Sequence, residues 1–186
     1  AGPDAVPALA ARGFRVFLDL KLHDIPTTVH RAARVVGGLG ATFVSLHAQG
    51  GAAMLRAGVE GLAEGSSEAG VEPAGALAVT VLTSEGGAPA HVVDRRVALA
   101  ARAGCRGVVC AASDLARVRA SGPGLLAVVP GIRPAGAPSH DQARPATPRA
   151  ALAGGADLVV VGRAVTAAPD PEGAASALFS GLIGPD

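Results

Sequence analysis

The 186-residue chain has no tryptophan and no tyrosine, only four phenylalanines and one methionine. Its core therefore cannot rest on aromatic rings and must be packed from Val, Leu, Ile and Ala. Charged residues make up 17% and the formal net charge is +1, against roughly 25% charged residues in an ordinary soluble domain. Such a chain offers no basic surface for nucleic acid and no polybasic patch for an anionic membrane. No run of about 18 apolar residues is present, so no membrane-spanning helix is expected. The opening AGPDAVPALAARG lacks the basic start and apolar core of a signal peptide. Two cysteines, Cys105 and Cys110, are too few for a disulfide framework and do not make a CxxC pair. They are expected as small buried apolar residues in a reducing, cytoplasmic setting. The five histidines show no metal-ligand spacing, so no metal is expected. No glycine cluster has the strand–GxGxxG–helix context of a dinucleotide site.

What is present is alternation. Short apolar runs read as strands at 14–20, 41–47, 75–82, 106–110, 125–130 and 157–162. Ala-rich stretches with helical spacing lie between and after them, at 27–39, 51–64, 89–103, 113–120, 145–154 and 171–182. The serines and glutamate of SSE (66–68) read as loop or cap residues. Strands that are apolar on both faces belong in a parallel sheet covered by helices, so the fold class is α/β. The strands recur roughly every 30 residues, the unit length of a (β/α)8 barrel of about 250 residues. About six of eight βα units fit, in one barrel domain over 1–186. The two remaining strands are expected before residue 1, with 3–12 as the second helix. An open doubly wound sheet of six strands is the alternative that periodicity leaves.

The first strand ends unusually. FLDLKLHDIPTT (17–28) places Asp19 and Lys21 two residues apart and adds Asp24 before the Ile25-Pro26 step. Residues two apart on a strand share a face, so the two charges are expected to project together. A structural ion pair closing the strand is one reading. The other is a preorganised charged array in a barrel mouth, with the lysine as a general acid kept protonated by its neighbour. The Pro/Gly-rich stretch at 130–148 is too long for an ordinary βα turn and is expected on the functional rim as a lid. His47, at the end of a strand, reads as a hydrogen-bonded rim residue, and His23 as a supporting one.

DLKLHDIPTT (19–28) resembles the signature of the orotidine 5′-phosphate decarboxylases. The D-x-K-x-x-D frame is shared with a wider group of barrel enzymes that includes hexulose-phosphate synthases, and the extension H-D-I-P-T-T narrows it. SLHAQGG (45–51), AVTVLTS (78–84), VVPGIRP (128–134) with DQ (141–142), and VVVGRAVT (159–166) agree in order and spacing. The resemblance implies a homodimeric (β/α)8 barrel that converts orotidine 5′-monophosphate to UMP and CO2, without cofactor or metal, in pyrimidine biosynthesis. It implies that Lys21 delivers a proton to pyrimidine C6 and that Asp19 stands beside the substrate carboxylate. Asp24 and Thr28 would reach into the partner subunit's site. Thr83 would contact the pyrimidine, Arg133 and Gln142 would bind from the long loop, and Gly162 with Arg163 would hold the phosphate. The family's aspartate on strand 1 and lysine on strand 2 have no counterpart here. Two other readings stand beside this one: a metal-dependent sugar-phosphate aldolase or decarboxylase on the same frame, and a non-catalytic nucleotide-binding paralog.

Overall fold

The computed structural model describes residues 2–82, 84, 87–133 and 146–183. Six strands occur among them: β1 (Phe17–Leu22), β2 (Phe43–His47), β3 (Gly75–Val79), β4 (Gly107–Val109), β5 (Leu126–Val129) and β6 (Leu158–Val159). Strand order follows chain order, and β1 pairs with β2, β2 with β3 and β5 with β6 in parallel. Each expected strand is present, within a few residues of its reading. The helices are α1 (Ala5–Ala10), α2 (Pro26–Gly37), α3 (Gly51–Ala69), α4 (Ala90–Arg102), α5 (Leu115–Ser121), α6 (Pro148–Ala153), α7 (Arg163–Thr166) and α8 (Pro171–Ile183). The architecture is thus α/β with six βα units of the (β/α)8 type. The chain divides into two compact units, Ala1–Thr80 with Asp94–Val108, and Val81–Val93 with Val109–Asp186.

The first unit carries β1, β2 and β3 and the start of β4. Its core is aliphatic, as the missing aromatics require: Val44, Leu46, Leu77, Met54, Leu55 and Leu62 are buried to 1% exposure or less. Helix α2 starts at Pro26, which has no N–H to lose at a helix N-terminus. It lies against α3 at unusually close range. A methyl group at Gly61 would overlap the His30 carbonyl oxygen, and one at Gly65 the Arg34 carbonyl oxygen. Only glycine fits such a backbone-to-backbone approach. The seam is finished by hydrogen bonds. Ser66 Oγ donates to the Gly37 carbonyl at 3.1 Å, and Arg34 Nε donates to Glu68 Oε2 at 2.9 Å. That hydrogen bond and the guanidinium charge hold Glu68 below the usual carboxylate range. SSE (66–68) is therefore not a loop or cap but the last turns of α3. Partners on α2 extend the helix where the local sequence reads as polar punctuation.

The second unit carries the end of β4, then β5 and β6. Arg119 on α5 fastens it. The guanidinium donates to Gly155 O (Nε, 3.1 Å), to Leu125 O (Nη1, 2.9 Å) and to Asp157 Oδ2 (Nη2, 2.5 Å). The same Asp157 oxygen accepts the Ala127 N–H at 2.7 Å. Partial burial pushes the Asp157 carboxyl up, but the Ala127 N–H and the Arg119 guanidinium outweigh it, and the group is held below its ordinary value of 3.8. Both cysteines are buried and neither is in a disulfide, and burial pushes the Cys105 thiol up to about 12. Among the described residues no helix is long and apolar enough to cross a membrane.

Candidate active site

The charged array is built by an irregularity in β1. Leu18 is in register with Val44 and Leu22 with Leu46, so three residues of β1 oppose the single residue Ser45 of β2. Asp19, Leu20 and Lys21 form this bulge. Lys21 is at φ 52°, the only described non-glycine residue with a positive φ. Bulges bend a strand and re-aim its side chains, and they concentrate beside functional sites. A left-handed lysine costs about 1–2 kcal/mol, so the surrounding structure must hold it there. The expected regular alternation is thus broken between 18 and 22. Asp19 and Lys21 still meet, but through the bulge: Lys21 Nζ donates to Asp19 Oδ2 at 2.5 Å. Both side chains are part-exposed, at 47% for Asp19 and 40% for Lys21, so the pair is open to a ligand.

Ser45 completes the arrangement. Its Oγ accepts the Lys21 backbone N–H at 2.8 Å and donates to Asp19 Oδ1 at 2.7 Å. Two residues on, His47 accepts the Gln49 N–H on Nδ1 at 3.2 Å, which leaves the proton of the neutral ring on Nε2. His23 stacks on His47 with ring centroids 5.2 Å apart and planes at 22°. The sequence reading of His47 as a hydrogen-bonded rim residue agrees with this geometry. Asp24 and Thr28 are both exposed, in the turn after β1 and in the first turn of α2. Asp24 Oδ1 accepts the Ile25 N–H at 2.7 Å, which sets the chain at the entry to α2.

The remaining candidates belong to the second unit. Arg133 is only 7% exposed. Its Nη1 donates to the Ile132 carbonyl at 2.8 Å, and its Nε has no partner among the described residues. A buried guanidinium with an unmatched donor is what an oxyanion-binding position requires. The backbone N–H of Arg133 donates to Ala146 O at 2.9 Å, so the two ends of the long loop are pinned together. Gly162 precedes α7, and nothing lies within 4 Å of where its Cβ would be. Arg163 is exposed at the first position of that short helix. Thr83 and Gln142 lie outside the described residues.

The model of the orotidine 5′-phosphate decarboxylase / HUMPS family matches residues 1–178. The chain belongs to this family. It is 50% identical over 192 residues to the orotidine 5′-phosphate decarboxylase of Anaeromyxobacter sp. (strain K), covering 97% of this chain and 81% of that protein. A relative of the same name from Thermobifida fusca is also 50% identical, with 97% and 79% coverage. Among solved structures, the orotidine 5′-phosphate decarboxylase of Lactobacillus acidophilus superposes with a TM-score of 0.82 at 35% identity, covering 99% of this chain and 82% of that one. The chain thus spans about four fifths of these relatives.

Within this family frame, the residue that sequence reasoning missed is Ser45. Its signal was a hydroxyl in the middle of an otherwise apolar strand, FVSLH, where a buried polar atom needs a partner. Among the described residues, no three His, Cys, Asp or Glu side chains cluster to hold a metal ion.

Proposed function

We infer that the chain decarboxylates orotidine 5′-monophosphate to UMP. The observation that carries this reading is the Asp19–Lys21 pair lifted out of the β ladder, in a chain half identical to proteins named for that reaction. The C6–carboxylate bond breaks and CO2 leaves. The electron pair stays on C6 and takes a proton from the Lys21 ammonium, which is then replenished from water. A fixed cation beside C6 stabilises that electron density while it develops, with no cofactor to absorb it. Asp19 holds the Lys21 ammonium through Oδ2 and stands beside the departing carboxylate. Arg133, Gln142, Gly162 and Arg163 bind the phosphate end, and Thr83 the pyrimidine. Binding energy collected at the phosphate is then available to the reacting carbon. Asp24, exposed in the turn before α2, and Thr28, exposed in its first turn, serve the partner's site in a homodimer. Two cysteines outside any disulfide suit a reducing cytoplasm.

The test is decarboxylation of orotidine 5′-monophosphate by the chain, expressed with any residues that its reading frame encodes upstream, in the presence of a chelator. Turnover insensitive to the chelator is expected. Turnover that the chelator abolishes would instead point to the metal-dependent sugar-phosphate chemistry of the wider group. Ligand binding with no CO2 release would identify a non-catalytic paralog.

A further inference from the structure

The bulge leaves β1 with three residues where β2 has one, so the backbone groups of 19–21 cannot all find ladder partners. Ser45 fills that deficit with its side chain. One hydroxyl supplies one donor and two lone pairs. Here the donor goes to Asp19 Oδ1 at 2.7 Å and a lone pair takes the Lys21 N–H at 2.8 Å. Asp19 Oδ2 in turn accepts from Lys21 Nζ. The result is a closed ring from the Lys21 backbone through Ser45 and Asp19 to the Lys21 ammonium. Its only fully buried member is Ser45, at 0% exposure between Val44 and Leu46. The charged members are part-exposed, and an exposed ion pair left to itself is weak and samples many rotamers. Fixing both the carboxylate and the lysine backbone to one buried atom removes that freedom.

We propose that Ser45 is a positioning residue for the reaction, locking the Asp19 carboxylate and the left-handed Lys21 backbone so that the Lys21 ammonium is aimed at the reacting carbon. The inference rests on the decarboxylase reading for its kinetic consequence and on the hydrogen-bond ring for its structural one. Ser45 is buried under the pair and offers no surface to a ligand, so its loss acts on the chemical step and not on substrate affinity. A misplacement of about 1 Å in a reacting group lowers rate by about 10²-fold. Ser45→Ala should therefore lower kcat by about 10- to 10²-fold at an unchanged KM. Ser45→Cys keeps the shape with a slightly larger atom but donates weakly, and should fall with Ser45→Ala. Ser45→Thr restores the hydroxyl and should recover kcat toward wild type.

The experiment is steady-state kinetics of the three variants beside wild type, with a crystal structure of Ser45→Ala. The expected structure has the Asp19 carboxylate turned from its present place and Lys21 free of the left-handed region. Equal kcat in Ser45→Cys and wild type overturns the proposal, as does a Ser45→Ala structure with Asp19 and Lys21 unmoved. A wild-type chain that shows no turnover when expressed with any residues its reading frame encodes upstream refutes the decarboxylase reading instead, and the crystal structure then decides the positioning role alone.

Discussion

Replacing Lys21 separates the chemistry from the fold. The Lys21–Asp19 pair is 40% and 47% exposed, and an ion pair this open contributes about 0–1 kcal/mol. Lys21→Ala should therefore cost no more than about 1 kcal/mol of stability. Alanine keeps a Cβ, so the strain of φ 52° is unchanged by that substitution. Lys21→Gly removes it, a gain of about 1–2 kcal/mol, and should be at least as stable as wild type. On a chain of this size each kcal/mol moves the melting temperature by about 2–4 °C. Turnover should behave in the opposite way. Loss of a general acid lowers rate by about 10²–10⁴-fold, and loss of a fixed cation beside developing negative charge by about a further 10²–10³-fold. Both variants should therefore lose at least about 10⁴-fold in kcat. The assay pairs the fall in orotidylate absorbance at saturating substrate with urea denaturation of the same preparations. A Lys21→Ala protein with turnover within about tenfold of wild type refutes the proton-donor assignment, since that loss is below any general-acid contribution. A Lys21→Gly protein less stable than Lys21→Ala refutes the reading of stored backbone strain.

Three further outcomes follow from the packing and charge. Gly65→Ala places a methyl on the Arg34 carbonyl oxygen, so α2 and α3 must separate; a loss of about 1–3 kcal/mol is expected in urea denaturation, with Gly70→Ala as a comparison set by φ alone. Asp157 is held below its ordinary 3.8, so its contribution is present above that pH and is lost as pH falls through the lower, folded-state value. Asp157→Asn should be less stable than wild type at neutral pH, and the gap should narrow in acid below that range, as read by denaturation at stepped pH. Arg133→Lys keeps a charge but not the guanidinium fork. If Arg133 holds the phosphate, kcat/KM falls by about 10- to 10²-fold, the equivalent of one charged hydrogen bond, and a variant with unchanged kcat/KM removes Arg133 from the site.

How far the sequence reaches is clearest on the two strands that carry the charged array. Strands of a parallel sheet write themselves as apolar runs, so FLDL and FVSLH were legible as strands without a partner in view. The geometry between them was not. Alternation predicts a shared face for Asp19 and Lys21 from β1 alone, yet the register shift opposite Ser45 is a joint property of β1 and β2, which no local period encodes. The same holds at the helix seam. Ser66 and Glu68 read as loop residues because their propensity is polar and local, and they are helical because Gly37 and Arg34 on α2 receive them. In both places a hydroxyl in an unexpected position, Ser45 in a strand and Ser66 in a helix, is buried to 0% exposure. A buried hydroxyl is retained only where it is hydrogen-bonded, and each of these marks a backbone that its own element leaves unsatisfied. At Ser66 that backbone is the carbonyl ending α2. At Ser45 it is the N–H of the one non-glycine residue at positive φ among those described, and that residue carries the ammonium of the charged pair. A serine inside an apolar strand, directly across from a charged pair, is thus a sequence signal for a bulge, and it points to the bulge from the opposite strand.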